Sequence, residues 1–245
     1  MALTYLCNKC ADRGLVIHDG VAMPCTCVKQ RTINNKIKAA QIPPMMTNFT
    51  FNRFNLEFYS RTQIDPVKNT SHCNAAAVTL KAARDFAKNY LDNPHTDGLL
   101  LTGPVGSGKT FLACCIANAL LAQGKTLLFI VVPDLLDQIK ATYDAKNQNA
   151  VTESELLDTA REVPLLILDD LGAHNYTDWT RNKIFSIINH RLNYLLPTII
   201  TTNINLEDLE QFLGERTTSR IIQMCRPYRL LVDVDIRVQM ISQSR

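Results

Sequence analysis

Eight consecutive residues carry the clearest chemistry in the chain. Gly103-Pro104-Val105-Gly106-Ser107-Gly108-Lys109-Thr110 has the form G-x-x-x-x-G-K-T, between the apolar run GLLLTG and the helical stretch FLACCIANALLAQG. Strand, glycine-rich turn and helix in that order make a phosphate cradle. The glycines let backbone N–H groups curl inward, and the helix aims its positive end at the same place. Lys109 is expected to reach the β- and γ-phosphates, and Thr110 to give its hydroxyl to Mg²⁺. A second apolar run, Leu165-Leu166-Ile167-Leu168, ends in Asp169 and Asp170. A buried strand ending in acids suits a second Mg²⁺ contact, made by Asp169 through water, and a carboxylate at Asp170 that positions or polarises the attacking water. A third run ends in Thr201-Thr202-Asn203, where an amide beside the phosphates can orient water, although Asn is also common in turns. Arg216 and Arg220 lie four apart on one helix face, either solvated or able to reach a neighbouring subunit.

The cysteines carry a second signal. Four of eight fall in the first 27 residues, as Cys7-x2-Cys10, fourteen residues, then Cys25-x-Cys27. Two close pairs joined by a short loop match the way a tetrahedral Zn²⁺ is wrapped, and four thiolates make a closed, structural site. Asp19-Gly20 in the loop is a hairpin signal. Buried thiols, His18 in place of one cysteine, or a redox C-x-x-C are the other readings. A segment this short needs a staple in place of a core, which favours the metal. Cys73, Cys114, Cys115 and Cys225 read as core thiols.

The elements that must position these groups follow from the pattern of apolar runs. GLLLTG, TLLFIVV, PLLILDD, PTIITTN and YRLLVDV alternate with helical stretches. Continuous apolar runs suit a parallel sheet covered on both faces, so the chain is α/β. Ser71 to Leu91 has helical spacing, and Leu206 to Gln223 reads as another helix. VKQRTINNKIKAAQI reads as polar, basic and helical, stopped by Pro43-Pro44. Phe49, Phe51 and Phe54 belong to a linker expected to dock on the next domain. The expected division is a basic cysteine module at 1–40, a linker at 41–70 and an ATPase-type domain at 71–245.

Composition sets outer limits. With 46% hydrophobic and 20% charged residues the chain is of ordinary globular type, not disordered or fibrous. The sequence lacks an apolar run long enough for a membrane span and a secretory leader, so a cytoplasmic protein is expected. Net charge is +3, and residues 1–40 carry six basic against two acidic side chains, so the excess sits in the cysteine module. That balance is mild support for a nucleic-acid partner.

Together GLLLTGPVGSGKT, LLILDDLG, TTN and LGERTTSRI resemble the AAA+ ATPases, and within them the DnaC/DnaI helicase-loader family. The cysteine segment resembles the zinc module of DnaI-type loaders, and TNFTFNRFN the family's linker motif. The resemblance implies Walker A at Gly103–Thr110, Walker B at Asp169 and Asp170, sensor 1 at Asn203 and a trans arginine finger at Arg220, with Arg216 as companion. Most such sites carry Glu where this chain has Asp170. Only 25 residues follow Arg220, too few for a full helical lid, and Arg237 is the candidate for a second arginine sensor. PDLLDQIKATYD through ESELLDTAREV matches the helical insertion of initiators and loaders. The implied function is ATP-dependent placement of the replicative hexameric helicase on single-stranded DNA within the primosome. The zinc module would bind the helicase, and the ATPase domains would stack head-to-tail. Two rivals share the motifs: an IstB-type transposition helper, and a zinc-bearing adaptor that binds ATP with little turnover.

Overall fold

The computed structural model describes residues 7, 9–18, 21–25, 27–28, 39–144, 152–172 and 176–243. Most of the basic stretch expected to be helical after Cys27, and the turn Asp19-Gly20, lie outside them.

Two short strands, β1 (Leu15–His18) and β2 (Val21–Pro24), pair antiparallel with His18 opposite Val21. Three short 3-10 turns follow, at Pro44–Met46, Phe51–Arg53 and Leu56–Phe58. A minimal hairpin, β3 (Ile64–Asp65) with β4 (Thr70–Ser71), leads into helix α1 (His72–Asp92). The Ser71 side chain caps that helix by accepting from the Asn74 N–H, which fixes where it starts.

The main body is a five-stranded parallel sheet. Its strands are β5 (Gly98–Thr102), β6 (Leu128–Val131), β7 (Leu166–Leu171), β8 (Thr198–Thr202) and β9 (Cys225–Arg229), in the order β6-β7-β8-β5-β9. The helices between them are α2 (Lys109–Ala122), α3 (Val132–Asp144), α4 (Glu153–Glu162), α5 (Asp178–Asn193), α6 (Leu209–Leu213) and α7 (Glu215–Met224), and α8 (Ile236–Gln243) follows β9.

Strand periodicity divides the core. Leu99, Leu101, Phe129, Ile167 and Ile199 face one side, where Ala83 and Phe86 of α1 and Leu112 and Ile116 of α2 cover them. Leu100, Leu128, Ile130, Leu166, Leu168 and Ile200 face the other, under Leu135, Leu157, Ile184 and Ile221. Both faces are buried, which is why the runs read as continuously apolar.

Two elements differ from the sequence expectation. The single helix expected from Leu206 to Gln223 is broken into α6 and α7 at Gly214, whose φ of +82° ends the first helix and starts the second. The last strand is Cys225–Arg229, not the more apolar YRLLVDV. As the sheet's edge it tolerates Pro227 and polar side chains. Leu230, fully buried, and Val232 instead pack into the core beside α1 and α2.

Candidate active site

The turn between β5 and α2 is built from left-handed backbone: φ is +144° at Gly103, +72° at Gly106 and +92° at Gly108. Lys109 opens α2 and is only 6% exposed. Its Nζ donates to the Gly103 and Pro104 carbonyls, both at 2.8 Å, to Ser107 Oγ at 3.4 Å, and to Asn203 Oδ1 at 2.7 Å. Burial pulls the lysine pKa down to about 8, against the opposing pull of Asp170 and Asp169.

The acids reach the loop through an irregularity in the sheet. The β7–β8 register shifts between Leu168 and Leu171, and Asp170 takes φ +59°, a conformation Asp tolerates better than most residues. The bulge gives the two carboxylates separate tasks. Asp169 accepts from the Thr110 hydroxyl at 2.8 Å and the Thr201 hydroxyl at 2.7 Å. Burial pushes its pKa up, and those hydroxyl bonds oppose the rise. Asp170 accepts from Asn203 Nδ2 at 2.8 Å, and its N–H donates to Thr201 Oγ1 at 2.9 Å. Lys109, Asn203 and Asp170 therefore form one chain of hydrogen bonds, and Thr110, Asp169 and Thr201 another. Thr110 and Asp169 offer a hydroxyl and a carboxylate side by side, an oxygen donor set suited to Mg²⁺.

Arg220 and Arg216 are held elsewhere, on α7. Arg220 Nε donates to Asn189 Oδ1 at 2.7 Å, one of its NH groups donates to the Arg216 carbonyl, and its guanidinium lies 4.9 Å from the Phe185 ring centre. Arg216 is exposed one turn earlier. Arg237, on α8, is paired with Asp235, whose carboxylate sits against Gly106. Three further side chains border the site: Thr201, within the TTN run, bonds Asp169, whereas Asp235 and Tyr59, which carry no local signal in the sequence, lie against Gly106 and Ser107.

The N-terminal cysteines converge as well. The sulfurs of Cys7, Cys10, Cys25 and Cys27 all lie within 4.8 Å of one another, with Cys7–Cys25 at 3.8 Å and Cys10–Cys27 at 3.4 Å. Zn–S bonds of about 2.3 Å in a tetrahedron place sulfurs ~3.8 Å apart, so the donor set fits zinc. Backbone N–H groups of Cys10 and Lys9 hold the Cys7 thiol down to about 7, whereas desolvation and the neighbouring sulfurs push Cys27 up to about 12. Only the backbone of His18 is described, in the hairpin that joins the two cysteine pairs. Cys114, Cys115 and Cys225 are buried, as core thiols should be.

Residues 25–224 match the model of the IstB-like ATP binding protein family. The chain belongs to that family. It is similar to the replicative helicase loader DnaC of Escherichia coli K12, at 28% identity over 192 residues, 78% of this chain and 69% of that one. It is also similar to the replicative helicase loader DnaI of Bacillus subtilis, at 30% identity over 159 residues, 60% of this chain and 50% of that one. Among solved structures, the DnaC helicase loader superposes with a TM-score of 0.60 at 29% identity, covering 78% of this chain and all of that one. AMPPCP-bound DnaA from Aquifex aeolicus reaches the same TM-score at 16% identity over 83% of this chain and 56% of its own, a likeness of AAA+ fold alone. The IstB-like chain is thus a DnaC/DnaI-type AAA+ protein. Among its described residues, no helix is long and apolar enough to cross a membrane.

Proposed function

We propose that this chain is an ATP-dependent loader that binds a replicative hexameric DNA helicase and helps place it on single-stranded DNA. The observation that carries this reading is the 192-residue similarity to a replicative helicase loader, joined to a complete phosphate loop.

The site residues take roles that their chemistry supports. The backbone N–H groups of Gly103–Gly108 cradle the phosphates. Lys109 exchanges its bonds to the loop carbonyls for phosphate oxygens. Thr110 would hold Mg²⁺ by its hydroxyl and Asp169 through water, and the ion would supply positive charge against the phosphates. Asp170 positions the attacking water, and Asn203, tied to both Lys109 and Asp170, reads whether the γ-phosphate is present. Arg220, pre-oriented by Asn189 and Phe185, completes the site of the adjoining protomer in a head-to-tail assembly. Bound ATP favours the assembled, DNA-holding state, and hydrolysis releases it. The four-cysteine cluster is a structural zinc module that supplies contact with the helicase.

The family model's own name favours a second reading, an IstB-type transposition helper. The loader names of the relatives weigh against it. The adaptor reading leaves the paired acids and Asn203 without a task. Mixing the chain with a hexameric replicative helicase and measuring complex mass with and without ATP tests the proposal. A stable complex supports it; association with a transposase instead of the helicase would select the rival.

A further inference from the structure

The linker that precedes the α/β core does more than fill space against it. Tyr59 is 2% exposed, and its hydroxyl donates to the Ser107 carbonyl at 2.7 Å, inside the phosphate loop. Its ring stacks on Phe54, with centres 5.5 Å apart. Phe54 lies 6.1 Å from Phe111, and Phe49 stacks on Phe111 at 4.5 Å, on the first turn of α2. Asn118, two turns further along α2, donates to the Met46 and Phe49 carbonyls, each at 2.9 Å. On the other side, the Cys73 N–H donates to the Ser60 carbonyl at 2.9 Å, tying the residue after Tyr59 to α1. The phenol is thus held in place from both directions.

We propose that Tyr59 is a positioning residue for the phosphate loop: by holding the Ser107 carbonyl it turns the Gly108 N–H toward the nucleotide phosphates. The inference rests on the reading of this loop as an ATP site. In a trans peptide the C=O and the following N–H point in opposite directions, so a carbonyl committed to the linker leaves the next N–H facing away from it. Burial pushes the phenol pKa up, so the hydroxyl keeps its proton and stays a donor. Gly108 is adapted to this neighbour. A Cβ at that position would lie 2.8 Å from the Tyr59 hydroxyl and 3.2 Å from Phe54, in addition to the strain of φ +92°. The glycine of the motif therefore admits the tyrosine as well as the turn.

Tyr59→Phe removes one oxygen and keeps the ring. The test measures Kd for ATP, ADP and adenosine, kcat at saturating ATP, and Tm. Loss of one organising hydrogen bond is expected to weaken ATP and ADP about fivefold to tenfold. Adenosine affinity should stay close to wild type and kcat should fall less than the phosphate affinity does, while the buried Ser107 carbonyl left without its donor should lower Tm by a few degrees. Phe54→Leu thins the same aromatic layer but leaves the hydroxyl; it should lower Tm with no loss selective for phosphate. Wild-type ATP affinity in Tyr59→Phe, or an equal loss for adenosine, overturns the positioning role while the ATP site stands. Failure of the wild-type chain to bind ATP overturns both.

Discussion

Lys109 and Asn203, 94 residues apart in sequence, meet in a hydrogen bond of 2.7 Å. Asn203 passes the contact on to Asp170 at 2.8 Å, so the lysine of the loop and an acid of β7 are joined by one amide. Asn203→Ala breaks that joint while leaving Lys109 and the loop N–H groups to hold the phosphates. Turnover is expected to fall about 10- to 100-fold, as for loss of one organised polar group, with ATP affinity changed less than about threefold. Steady-state kinetics beside equilibrium binding separate the two quantities; an equal loss in both would assign Asn203 to binding.

The depressed pKa of Lys109 makes two pH effects of opposite sign. Folded, the lysine titrates near 8 against an ordinary 10.5, so between those values the unfolded chain binds more protons. This group therefore stabilises the nucleotide-free protein progressively as pH rises through that window. Phosphate binding needs the cation, so ATP affinity should decline above pH about 8, approaching tenfold per pH unit. Titrations of ATP binding from pH 6 to 10, with Lys109→Met as reference for stability, check both. Flat affinity across the range contradicts the assignment.

Asp170 combines a task with a backbone constraint. At φ +59° most side chains cost roughly 1–2 kcal/mol, while Asp and Asn are tolerated. Asp170→Asn should fold with unchanged Tm yet lose about 100-fold in turnover. Asp170→Leu should lose turnover and also ~1–2 kcal/mol of stability in denaturant melts. Equal stability of the two variants would remove the backbone part of the argument.

Arg191 is fully buried and donates to Thr198 Oγ1 and to the carbonyls of Ala160, Arg161, Val163 and Pro197. It closes the C-terminal end of α4 and joins it to the start of β8. Arg191→Met leaves those buried acceptors unpaired and is expected to cost about 3–5 kcal/mol. Urea unfolding measures it; a cost below about 1 kcal/mol would show that the helix end finds other donors.

The cysteine cluster makes a separable prediction. Wild-type chain should carry about one zinc, and Cys10→Ser close to none. Chelation should open the hairpin of β1 and β2 to protease and abolish helicase binding, while ATP binding by the sheet domain persists. Metal analysis with limited proteolysis reads both outcomes, and a metal-free wild type that still binds helicase would contradict the module's role.

Much of this was legible because it is local. The phosphate loop, the acid-ended strand and the paired cysteines are short patterns whose chemistry depends on spacing along the chain. Strand identity was legible where both faces are buried, as in β5 and β7, and misplaced at β9, where an edge strand needs little apolar character and the apolar residues beyond it serve the core. Contacts across long sequence separations left no trace in any window. Tyr59 on Ser107, Thr201 on Asp169 and Arg191 on α4 arise from the packing of whole elements. The bulge that gives Asp170 its conformation is likewise a property of two strands together.

The most direct test of the loader account is transfer of a hexameric replicative helicase onto closed circular single-stranded DNA. With ATP, the chain should raise the amount of helicase on the circle, and Lys109→Ala should lose that effect. Equal loading with and without the chain, or by Lys109→Ala at the wild-type rate, would contradict the account.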